Sequence, residues 1–149
     1  MISKITDYII ERFEEDEMVH TISLSPIDLI DTKKENIYPL VAIRFNAKTA
    51  DDDVLLYDYT IHILKQRDSN RKVKPSKIME ESNWIDNLNE CDSIAMKFIN
   101  YIRRFDINSN ITINTISELE PLSEFGGANL DGFVFDIVLS SPNTGYCGI

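Results

Sequence analysis

The chain has 149 residues with 15 basic and 25 acidic side chains, a net charge of −10, and is 43% hydrophobic and 27% charged. That length suits one domain around one core, large enough to fold without a disulfide or a metal, and the negative balance argues against a general affinity for nucleic acid or anionic lipid unless positive charge is locally concentrated. No run reaches the roughly 18 apolar residues of a membrane span, and the opening MISKITDYIIERFEEDE lacks the cationic start, apolar stretch and cleavage site of a secretory signal, so a soluble intracellular product is expected.

Ile2, Ile5, Ile9 and Phe13 recur at helical spacing and predict an amphipathic helix over 3–15. It should end or fray near Glu14, because Glu14, Glu15, Asp16 and Glu17 crowd the negative end of the helix dipole. Residues 18–24 suit a strand closed by Pro26, and the polar stretch 31–37 a loop. In 38–46, Val41, Ile43 and Phe45 share one face of a strand, with Leu40, Ala42 and Arg44 on the other. The clearest strand covers 54–64, with Leu55, Tyr57, Tyr59, Ile61 and Ile63 opposed to Asp58, Thr60 and His62. At about 3.3 Å per residue it is nearly as long as a compact domain of this size is wide, so it must bend or project.

Residues 84–105 predict the main helix, with Ile85, Leu88, Cys91 or Asp92, Ala95, Phe98, Ile99 and Ile102 on one stripe. Ser82 or Asn83 can cap its start, and Arg103 and Arg104 suit its last turn. Strands follow over 110–116 and 132–140; in the second, Phe133, Phe135, Ile137 and Leu139 alternate with Val134, Asp136 and Val138 before Pro142 closes it. Residues 141–149 read as a short flexible tail. The order predicts a single α+β domain over 1–149: one mostly antiparallel five-stranded sheet with two helices packed on the same face.

Candidate chemical sites fall away one by one. Cys91 and Cys147 form no C-x-x-C pair, and with His20 and His62 as the only histidines a zinc site would require four distant residues to converge. Cys91 belongs to the helix stripe and Cys147 to the tail. His62 should face solvent or an interface beside Asp58 and Thr60. The run Asp106-Ile107-Asn108-Ser109-Asn110 opens like a calcium loop but has Ile111 at position six and Ser117 at position twelve. Gly126-Gly127 lacks the context of a phosphate-binding loop and reads as a turn. No catalytic residue, metal ligand or cofactor is predicted. One charge feature remains: Lys65, Arg67, Arg71, Lys72, Lys74 and Lys77 lie in thirteen residues with a single acid, Asp68, giving a +5 segment on a −15 remainder. Residues 65–77 are expected to form a basic loop that projects from the domain and meets the acidic surface of an adjacent subunit, or nucleic acid lying close to it, against the plainer reading of a solvated loop.

The segment Glu118-Leu119-Glu120-Pro121-Leu122-Ser123-Glu124-Phe125, then Asn129-Leu130-Asp131-Gly132-Phe133 and a last strand ending in Ser-Pro, resembles the C-terminal half of bacteriophage neck proteins. These are the tail-completion or tail-terminator-like ring proteins of crAss-like and related Bacteroidetes podoviruses. The central strand, residues 57–68, and the whole element order are similar to that group as well. The resemblance implies a non-enzymatic structural virion subunit in the head–tail connector, assembled in the host cytoplasm. Its ring joins portal to tail, touches neighbouring neck, portal or tail proteins, and lets DNA pass through its channel without sequence-specific binding. No membrane partner is expected. A heterologous ring needs two unlike complementary surfaces, which a basic segment on an acidic body can supply, and an acidic channel would not retain passing DNA. The alternative is a monomeric acidic α+β adaptor or inhibitor that binds a basic protein; a small hydrolase using Cys91 or Cys147 is a third reading.

Overall fold

The computed structural model describes residues 2–25, 38–67, 84–104, 110–125 and 130–143. Along them run α1 (Ile2–Glu14), β1 (Thr21–Ser23), β2 (Leu40–Ala50), β3 (Val54–Gln66), α2 (Trp84–Arg104), β4 (Thr112–Ile116), β5 (Glu120–Phe125) and β6 (Leu130–Pro142). The fold is α+β, with two helices and an open, mixed six-stranded sheet ordered β1-β2-β3-β6-β4, in which β5 also pairs with β6. Only β1 and β2 are parallel; the other pairs are antiparallel.

β3 sits at the centre because its alternation satisfies both sides of the sheet at once. Tyr57, Tyr59, Ile61 and Ile63 are fully buried on one face, in a core shared with Val41 and Ile43 of β2 and Phe135, Ile137 and Leu139 of β6. Both helices cover this face. α1 contributes Ile5, Tyr8, Ile9 and Phe13, and α2 contributes Cys91, Ile94, Ala95, Phe98, Ile99 and Ile102. Period-3.6 stripes on period-2 strands close a single apolar layer, as the two periodicities require. Nine of these side chains are β-branched isoleucines on or under the sheet, whose stiff side chains pack well on a pleated surface.

The opposite face holds a smaller cluster at one end, Leu40, Ala42, Leu64 and Leu130, joined by Tyr38 and Leu122. Leu64 and Leu122 flank Gly132 in one row of the sheet. A Cβ on Gly132 would lie 1.8 Å from the Ile63 carbonyl oxygen, and its φ of +157° already disfavours a side chain. Glycine is required there by close backbone approach.

Several boundaries and one element differ from the sequence reading. The sheet has six strands, since β5 forms along residues 120–125, where Pro121 and two glutamates hide any alternation. The strand expected over 18–24 shrinks to three residues. Its entry is instead held by His20 and Thr21 amides donating to the Pro39 carbonyl at 3.0 and 3.3 Å. On α2, Asn87 is buried while Ile85 is 44% exposed, so the stripe begins one turn later than hydropathy suggests. The tail does not start at residue 141: Ser141 and Pro142 pair with Leu55 and Val54, and Asn143 is tied to Asp51 and Asp53 across the β2–β3 turn. The caps at Ser82 and Asn83, the loop 31–37, the turn at Gly126-Gly127 and Cys147 lie outside the described residues.

Candidate functional site

Lys65 and Arg67 begin the basic segment, and the fold employs both. Lys65, next to last in β3, is ion-paired with Glu90 of α2. Arg67 forks onto Asp131, with Nη2 donating to Oδ1 at 2.7 Å and Nε to Oδ2 at 3.1 Å, and Nη2 also reaches Ser123 Oγ at 2.8 Å. Asp131 has no exposed surface and Arg67 only 12%. Asn87 completes the cluster, donating to Asp131 Oδ2 at 3.1 Å and to the Gln66 carbonyl at 3.2 Å. A buried carboxylate is tolerated when its oxygens are filled and a planar cation faces it. The cluster ties the end of β3 to the starts of β6 and α2 and to β5, at the root of the segment expected to project. Two of the six cations proposed for a subunit contact are therefore engaged within the chain. Arg71, Lys72, Lys74 and Lys77 lie outside the described residues.

The sequence reading missed Asp131 and Asn87. Each carried a signal: Asn87 stands four residues before Cys91 on the helix stripe, and Asp131 lies between Leu130 and the obligatory Gly132 in a strand otherwise rich in apolar residues.

On the face of the sheet away from the helices, a polar row crosses three strands. Asn46 Nδ2 donates to Thr60 Oγ1 at 2.7 Å, and Thr60 Oγ1 donates to Asp136 Oδ1 at 2.5 Å. Asp136 is held in turn through its amide by Ser117 Oγ at 2.8 Å. His62 is half-buried beside this row, and burial pushes its pKa below the ordinary 6.5, with Asp136 opposing and Arg44 reinforcing the shift. The groups of this row are bonded to one another rather than converging on an empty point. Cys91 is buried, and burial together with Glu90 pushes its thiol up to about 12, so no thiolate is available there at neutral pH. Among the described residues no three His, Cys, Asp or Glu side chains come together as a metal site. Nor is any helix among them long and apolar enough to cross a membrane.

A groove of about 410 Å³ lies between the end of α1 and α2. Its polar groups serve the fold: Asp16 Oδ1 accepts from the Met18 amide at 3.0 Å and from Lys97 Nζ at 3.5 Å. Arg12 lies 5.1 and 4.8 Å from the ring centres of Tyr8 and Tyr101 and bridges to Glu15 at 3.0 Å.

The edges of the sheet are unlike each other. β1 pairs with β2 only at Leu40, Val41 and Ala42, so among the described residues no strand covers the outer edge of β2 from Ile43 to Ala50. Arg44 and Lys48 are the only charged residues of that stretch, and both are exposed. At the far edge, β4 and β5 follow one another along β6. Residues 110–125 contain three glutamates and no lysine or arginine, and Glu118 and Glu120 are exposed. One edge is thus basic and the other acidic. In comparisons with known proteins, no family model matches the chain and no curated protein matches it in sequence.

Proposed function

We propose that this chain is a non-enzymatic virion subunit that forms a ring in a phage neck, a tail-terminator-like part of the head–tail connector through which DNA passes. The observation that best supports the reading is the arrangement of the fold: a leading helix, a short strand, a long hairpin, a second helix and closing strands, with both helices on one face of an open sheet. The resemblance of residues 57–68, 118–125 and 129–133 to neck ring proteins goes with a leading helix, three strands, a long helix and two closing strands, to which β5 adds a third closing strand. A sheet covered on one face, with unlike free edges, suits a subunit that completes its surfaces against copies of itself. The neighbours are adjacent neck, portal or tail proteins, and assembly occurs in the host cytoplasm.

Gold-labelled antibody against the protein, applied to purified virions, tests this directly. Label at the junction of head and tail is the expected result. Virions that lack the protein, together with a monomer by light scattering at all concentrations, would favour the acidic adaptor.

A further inference from the structure

We propose that copies join head to tail through their sheet edges, the open edge of β2 in one copy adding to the β5 end of the β4–β5 edge of the next. The inference rests on the ring reading above and names the contact that builds it. β2 is antiparallel to β3, β3 to β6, and β6 to both β4 and β5. β2 therefore runs opposite to β4 and β5. Copies set side by side with their strands aligned form a new antiparallel pair, the more stable kind and the commoner one in this sheet. Among the described residues no strand pairs with either edge, and an added strand would take up the backbone donors and acceptors that an edge presents.

Charge selects between the arrangements. Arg44 and Lys48 flank the β2 edge, and Glu118 and Glu120 the other. Two β2 edges meeting about a two-fold axis would bring four cations together, whereas β2 against β4–β5 brings opposite charges together. β1 sets the register. It stands one strand beyond β2 at Leu40–Ala42, the row occupied on the far edge by Glu120–Leu122 through β3 and β6. A neighbour's β5 cannot share that row with β1 and must sit higher, along Ile43–Ala50. The smallest stagger that clears β1 brings the neighbour's Glu120 up beside the Lys48 stretch. Stagger of this sense requires strands tilted to the ring axis, as closure of any barrel does.

Covalent trapping tests the contact. In a Cys147→Ser background, where Cys91 is buried, an affinity-tagged Thr49→Cys chain is mixed with an untagged Ser117→Cys chain and treated with a short bis-maleimide. Cross-linking of the two different chains is expected, with neither chain linking to itself. Arg44→Glu with Lys48→Glu should lower the yield several-fold at low salt, and Glu118→Lys with Glu120→Lys in the partner should restore it, circular dichroism being unchanged throughout. Homotypic products, no product, or yields that ignore the charge reversals would overturn the proposal. Heterotypic cross-links without virion label would remove the neck reading and keep the edge contact; virion label without cross-links would do the reverse.

Discussion

Phe13 of α1 and Phe98 of α2 stack with ring centroids 4.3 Å apart and planes 18° from parallel. The two helices, far apart in sequence, hold each other through this pair while both press on the sheet. Phe98→Ala removes a side chain only 3% exposed and should cost about 3–5 kcal/mol. That is a large part of the stability of a domain this size. Urea denaturation measures the loss, and a melting temperature within a degree or two of the parent would show that the rings do not bind the helices together.

Gly132→Ala should be nearly as damaging although it adds one methyl group. The new Cβ would collide with the Ile63 carbonyl near one end of the β3–β6 ladder, where Gly132 is paired with Leu64 on one side and Leu122 of β5 on the other, so that its backbone cannot shift without disturbing both. Loss of several kcal/mol is expected, about 3 or more. Poor expression with intact helical circular dichroism would locate the damage in the sheet.

Breaking the Arg67–Asp131 pair from one side leaves an unpaired charge inside the protein, and Arg67→Ala should cost roughly 3–5 kcal/mol. Replacing both partners, Arg67→Met with Asp131→Leu, should recover much of that. If the double variant is no better than the single one, the cluster with Asn87 and Ser123 contributes through its hydrogen bonds rather than through charge.

His62 predicts a pH dependence with a definite sign. Its pKa in the fold lies below the ordinary 6.5, so the unfolded chain takes up its proton first as pH falls. Its contribution is complete above that value and is lost progressively below it. The advantage of the parent over His62→Gln in thermal melts should shrink between about pH 7.5 and about pH 5. A constant difference across that range would mean that His62 does not titrate against the fold.

With Lys65 and Arg67 tied into the chain, the remaining test of the basic segment falls on Arg71, Lys72 and Lys74. Their reversal to glutamate should leave circular dichroism unchanged and weaken virion incorporation, most at low salt where screening is least. Unchanged incorporation would take the segment out of the interface.

Much of the architecture was legible because two periods dominate it. The alternation over 54–64 predicted the buried face of β3 residue by residue, and the stripes of α1 and α2 predicted which helix faces meet it. What escaped was set by partners distant in sequence. β5 exists because β6 offers an edge, whatever Pro121 and its glutamates prefer locally. Asn87 is buried because Asp131 waits for it 44 residues away. The candidate site was read from charge alone, and charge density in sequence does not distinguish Arg67, locked on a buried carboxylate, from cations that face a partner.

β6 is flanked along one side by β3 and along the other by β4 and β5, so among the described residues it alone is bordered by three other strands. It is also the last in sequence of the described strands. Until residues 130–142 have left the ribosome, β3 has one bare flank, and β4 and β5 have nothing to lie against. The nascent chain must therefore carry an unfinished hydrophobic surface until β6 emerges, and the long-range pairing that completes it is of the slowly formed kind. Removing residues 130–142 should then yield an aggregating fragment rather than a smaller domain, which places a demand on chaperones in the interval just before β6 emerges.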